Sequence, residues 1–132
     1  MKELFGKFEE HGYALFRLVA GLLFACHGAQ KLFGLLGGQA IHSPLMIVAG
    51  IIELAGGLAV ASGFYADIAA FIASGQMAVA YFMAHAGKGF LPINNGGELA
   101  VLYCFLFLYI ATRGSGSWSL DQLFRRQGRQ RA

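Results

Sequence analysis

Four apolar runs almost free of charge divide this chain: Tyr13 to Phe33, Pro44 to Phe64, Ala66 to Ala86, and Glu98 to Thr112. A helix of about 20 apolar residues matches the hydrocarbon thickness of a bilayer. Inside lipid every backbone N–H and C=O must find its partner within the segment, so runs of this kind become helices. The rest of the sequence offers no competing core: 57% of residues are hydrophobic and 13% charged, where soluble domains carry about a quarter charged. The expected fold is therefore all-α, one integral-membrane four-helix bundle covering residues 1–132.

The punctuation between the runs supports that division. GLLGGQAIHSP ends the first run, and Pro44 suits the first turn of the second helix. Gly63 leaves only a short turn before the third run, which makes the second and third helices antiparallel neighbours. GKGFLPINNGG is poor helix material and precedes the fourth run, and Arg113 with GSGS closes it. The first run carries His27 and Lys31 and lacks a small-residue cleavage site, so it reads as a retained helix, not a signal peptide.

Charge placement predicts orientation. Lys2, Lys7 and Arg17 precede or open the first helix, and Arg113, Arg125, Arg126, Arg129 and Arg131 follow the fourth; Lys31 and Lys88 lie on the other side. Basic residues mark the cytoplasmic side, and an even number of spans brings both basic ends together, so both termini are expected in the cytoplasm. The net charge of +3 is thus a membrane-surface signal and not a nucleic-acid one. Leu4, Phe5 and Phe8 share a face, as do Leu120, Leu123 and Phe124 after Ser119 and Gln122 at capping-box spacing. Both ends read as short interfacial segments.

Lipid supplies no hydrophobic drive between helices, so close packing needs small side chains. Three stripes at four-residue spacing are candidates: Gly21, Ala25 and Ala29; Ala55, Ala59 and Gly63; Ala66, Ala70, Ser74 and Ala78. Cys26 and Cys104 lie in apolar runs without a CxxC pairing and read as buried small hydrophobes.

The polar residues within the runs carry the functional signal. Glu53 stands mid-span, where a carboxylate facing lipid is costly, so it must face the bundle. His27 and Lys31 are four residues apart and share a helix face. On the third helix, Gln76 and His85 are nine residues apart, about 180° in projection, so a regular helix cannot point both at one site; His85 aligns with the small-residue side. Asn95 has the character of an N-cap and Glu98 of a first-turn acid on the fourth helix. In the expected topology His27, Lys31, His85, Asn95 and Glu98 share the outer layer with Glu53 just beneath, which suggests one pocket. No metal-ligand motif appears, and Lys31 would repel a cation.

The stretches RLVAGLLFACHGAQKLFG (17–34), ELAGGLAVASGFYADIAA (53–70), HAGKGFLPINNGGELAVLY (85–103) and GSGSWSLD (114–121) resemble the DoxX family of small bacterial membrane proteins. The family's recurring polar positions fall on Arg17, His27, Gln30, Lys31, Glu53, Asn95 and Glu98, with His85 matching as well. The resemblance implies a multi-pass protein of the bacterial inner membrane associated with quinone-linked or thiol and sulfur redox chemistry. On this reading the chain is an oxidoreductase subunit, with Glu53, His27 and Lys31 in the catalytic role and Gln30, His85, Asn95, Glu98 and Arg17 binding the ligand. Quinone is then the expected cofactor, with none held covalently, and a redox partner protein and a homodimer are the expected associations. The rival is a non-enzymatic transporter, binding module or assembly partner. No haem, flavin or iron–sulfur motif is present to carry electrons unaided.

Overall fold

The computed structural model describes residues 1–131, and no strand occurs among them. Helix α1 (Lys2–Phe33) runs into the bundle, with one 3-10 turn at Gly6–Phe8. It is followed by α2 (Pro44–Ser62), α3 (Ala66–Lys88), the short α4 (Pro92–Asn95), α5 (Glu98–Arg113) and α6 (Leu120–Arg131). Helices α1, α2 and α3 are long and apolar enough to cross a membrane; α5 has 16 residues. The N-terminal apolar residues continue the first helix and do not form a separate segment.

The helix ends follow local chemistry. Gly34 adopts a left-handed φ of 64° and its N–H bonds back to the Gln30 carbonyl, which stops α1. Ser43 caps α2 through its side chain to the Met46 N–H at 3.4 Å, with Pro44 in the first turn. Asn95 is not the cap of α5. That place belongs to Gly97, whose N–H bonds to Asn95 Oδ1 at 2.8 Å from the preceding short helix.

Helices α1 and α2 meet backbone to backbone. A Cβ on Gly21 would strike Ala61 and Gly57, one on Gly57 would strike Ala25 and Gly21, and one on Gly28 would strike Leu54 and Gly50. The contact stripe of α2 is therefore Gly50, Gly57 and Ala61. The Ala55, Ala59, Gly63 stripe is not the contact: Ala55 is exposed and Gly63 belongs to the turn. Helix α3 packs on α5 through buried Ala66, Ala70, Ala73 and Ser74, whose hydroxyl donates to the Cys104 carbonyl at 2.7 Å. Between these two helix pairs Phe24, Tyr103 and Phe107 form an aromatic core, with Phe24 and Phe107 centroids 4.6 Å apart.

Outside the core the chain shows a broad apolar belt that includes Leu15, Leu23, Ile51, Leu58, Ile68, Phe71, Phe82, Leu102 and Phe105, all at least half exposed. A patch of this size is far beyond what a monomeric soluble protein exposes, and a bilayer is its natural solvent. Cys26 is exposed on this belt and Cys104 half-buried, so neither is the buried residue expected from its run.

Candidate functional site

Two helical irregularities shape the site. In α2 the residues Ile52–Gly56 form a π turn containing Glu53, and in α3 Tyr81–His85 form a second π turn ending at His85. A π turn places an extra residue in the turn, so side chains beyond it are rotated relative to a regular helix; such turns recur at functional sites. The expectation that Gln76 and His85 must point apart assumed a regular helix, and the second π turn lies between them.

Glu53 is 1% exposed. Its Oε1 accepts from Lys31 Nζ in an ion pair between α1 and α2. The same oxygen accepts from Gln76 Nε2 of α3 at 2.9 Å, and that amide also donates to the Ala49 carbonyl at 3.4 Å. Glu53 Oε2 and Gln76 Oε1 have no hydrogen-bond partner. Lys31 is 28% exposed along its side chain, which lets its alkyl stem cover apolar surface while the ammonium reaches inward.

Beside this ion pair lies an open-sided cleft of about 260 Å³ whose wall includes Phe24, His27, Met77, His85, Leu99 and Tyr103 together with Lys31 and Glu53. His27 stands edge-on to Tyr103, with centroids 6.1 Å apart. His85 Nδ1 lies 3.2 Å from the Asn95 carbonyl. A carbonyl can only accept, so Nδ1 is the donor. The structure thus gathers His27, Lys31, Glu53 and His85 from three helices along one cleft, which Asn95 and Glu98 of the expected layer do not line.

The other predicted residues stand elsewhere. Asn95 is buried and spent on the scaffold: Nδ2 donates to Gly89 O at 2.7 Å and to the Tyr81 hydroxyl at 3.1 Å, fixing the loop behind His85. Gln30 Nε2 donates to the Leu36 carbonyl at 3.0 Å and holds the α1–α2 loop. Glu98 is exposed in the first turn of α5 and borders a neighbouring groove with Pro92, Ile93 and Leu102. Arg17 is not in this layer. It lies buried at the end of the bundle that carries the termini, where Nη1 donates to the Ser115 and Ser117 carbonyls and Nη2 to that of Trp118 at 2.9 Å. Fourteen residues separate Arg17 from Lys31 on one helix, roughly 21 Å at 1.5 Å per residue, so they cannot share a ligand.

Gln76 and Tyr103 are the residues that sequence reasoning left out. For Gln76 a signal was present. The short turn at residues 63–65 folds α2 against α3, and Glu53 and Gln76 are nearly equidistant from it, which puts them at one depth. Tyr103 carried no comparable mark within its apolar run. Among the described residues no group of three or more His, Cys, Asp or Glu is arranged to hold a metal ion.

The DoxX family model matches residues 12–86, which take in α1 from residue 12 onward, all of α2 and nearly all of α3, and with them Lys31, Glu53 and Gln76. A protein of Haemophilus influenzae, described only as uncharacterized, is 43% identical over 126 residues, covering 89% of this chain and 94% of the relative. No solved structure matches. The family match over more than half the chain, the near full-length relative and the apolar helices together make this chain a membrane protein of the DoxX family.

Proposed function

We propose that this protein is a quinone-linked, redox-associated subunit of the bacterial inner membrane, and that its ligand enters the cleft between Glu53 and Tyr103. The observation that carries the reading is a buried carboxylate with one oxygen committed to Lys31 and Gln76 and the other unpartnered, beside a cleft with apolar and aromatic walls. An amphipathic ring suits such a cleft: Phe24, Met77, Leu99 and Tyr103 receive its apolar body and Glu53 and His85 its polar edge. When bound, the quinone supplies the two-electron carrier, and a partner protein with its own redox cofactor supplies the electrons. The chain's own part is to orient the ring and to hold and move protons. Lys31 pairs with Glu53 through Oε1, which leaves Oε2 to accept from the ligand, and His27 lines the same cleft as a proton relay.

The same reading makes α5 a fourth span. Its 16 residues would cross about 24 Å as a helix, and the α4 loop would complete the crossing. Both termini then lie in the cytoplasm, and the cleft opens in the periplasmic half. The exposed belt leaves room for a second copy or for the redox partner. A non-enzymatic binding or transport role would use the same cleft without electron transfer.

Two measurements test this. Protein purified from native membranes should retain quinone on extraction, and a short-chain quinone should raise its melting temperature in detergent. Absence of both would end the quinone-linked reading. For orientation, a thiol at Gln127 should resist an impermeant reagent on intact cells while one at Gln39 reacts; the reverse pattern would invert the topology.

A further inference from the structure

The polar groups of the cleft are unequal in kind. Both donors that reach the Glu53 carboxylate converge on Oε1, and Oε2 receives none. At 1% exposure Glu53 has no access to bulk water. Gln76 Oε1 is a second buried oxygen without a donor. Exchanging the two ends of that amide does not cure the mismatch, because its nitrogen serves both Glu53 Oε1 and the Ala49 carbonyl, at 2.9 and 3.4 Å. A further acceptor comes from α3. With Nδ1 of His85 donating to the Asn95 carbonyl, Nε2 is the ring nitrogen that accepts in that tautomer, and His85 lines the cleft.

These committed groups decide what the cleft prefers. His27 and the Tyr103 hydroxyl can each donate or accept, so they are indifferent. Lys31, the cation of the cleft wall, is engaged by Glu53. An anion entering here would meet the free carboxylate oxygen, and a second cation would meet Lys31. A ring bearing carbonyls would set acceptor against acceptor at Glu53 Oε2 and leave that oxygen desolvated without a donor. A neutral ring bearing hydroxyls meets each of these requirements.

We infer that the cleft selects the reduced, dihydroxy form of a quinone over the oxidised dicarbonyl form and over anions, with one ring hydroxyl donating to Glu53 Oε2. The inference rests on the quinone-linked reading and adds to it which redox form is held. It makes the chain a site where hydroquinone is retained and its hydroxyl proton placed against a buried base. No electron moves in the binding step itself.

The test is calorimetric titration of the purified full chain in phospholipid nanodiscs under anaerobic conditions. The probes are a decyl-substituted benzoquinone, its hydroquinone and the dimethyl ether of that hydroquinone, which keeps the shape and removes both donors. The hydroquinone should bind at least roughly tenfold more tightly than either of the others. The Glu53→Gln variant should lose that preference while keeping its melting temperature within a few degrees; should it fail to fold, the three affinities of the unaltered protein decide alone. Equal affinities, or tighter binding of the quinone or the ether, would overturn the inference and leave the quinone-linked reading standing. Failure of all three to bind would remove that reading and the inference with it.

Discussion

Arg17 and Lys31 are two cations on one helix that the bundle takes up in opposite ways. Arg17, 1% exposed, is enclosed by main-chain carbonyls from Ser115 to Trp118 and from Ala61. Those acceptors are neutral: Ala61 lies in the last turn of α2, where the backbone dipole favours a cation, and the others belong to the loop between α5 and α6. The planar guanidinium spreads its donors over several carbonyls at once, which an ammonium cannot do. Its neighbours are locked too: Asp121 accepts from the Ser115 hydroxyl at 2.5 Å and from the Tyr65 N–H, tying the tail to the α2–α3 turn. Lys31 instead meets a single carboxylate, whose other oxygen is left unpartnered beside a cleft. A buried cation whose two Nη atoms are held by backbone carbonyls, with Nε alone lacking a partner, holds architecture together; a carboxylate with one of its two oxygens unpartnered next to a cavity is available for chemistry.

The largest effect should come from breaking the first arrangement. Arg17→Met leaves a ring of desolvated carbonyls and should cost roughly 3–5 kcal/mol, enough to abolish a folded species in detergent. Should Arg17→Met melt like the unaltered protein, the clamp reading is wrong. Lys31→Met comes next, at about 2–3 kcal/mol, because it leaves a buried carboxylate without its cation. At the helix contact Ala70→Leu or Ser74→Leu should cost about 1–3 kcal/mol, while Ile72→Leu, half exposed on the belt, should change little. Equal melting temperatures for these three would place the Ala70 face in lipid.

The smallest change in stability is expected from Glu53→Gln, about 1 kcal/mol or less, because the amide keeps the shape and Lys31 can swing its ammonium to the interface. Its functional effect should fall on selectivity, with loss of the preference for the hydroquinone in a folded, membrane-inserted protein. The asymmetry between Lys31→Met and Glu53→Gln sharpens the comparison: two halves of one ion pair should differ in cost because one can reach water and the other cannot. If Glu53→Gln is the more damaging to melting temperature, the carboxylate is structural glue.

Much of the site was legible from one-dimensional constraints. Glu53 had to face inward because the alternative was lipid, and depth alone offered His27 or Lys31 of the first helix as its partner, of which the structure pairs it with Lys31. The resemblance assigns Arg17 to the ligand together with the outer residues, whereas helix rise alone separates it from Lys31, so the spacing in the sequence argues against that assignment. On a regular helix Gln76 projects away from His85, which hides it from a reading of the sequence. The π turn that invalidates the angle leaves no distinct mark in composition.

By itself the sequence determined the apolar helices, their ends at Gly34 and Gly63, and the need for a bilayer, since these depend on hydropathy, chain length and local backbone chemistry. Only the tertiary structure decided that Gly57 and not Ala55 meets α1, that Tyr103 lines the cleft, that Arg17 clamps the tail, and that one Glu53 oxygen is left without a partner. The physical reason is that small residues occur on several faces of each helix, and which face is buried depends on how two backbones fit together. A partner is likewise a property of two segments at once, and the register between segments is set where they touch.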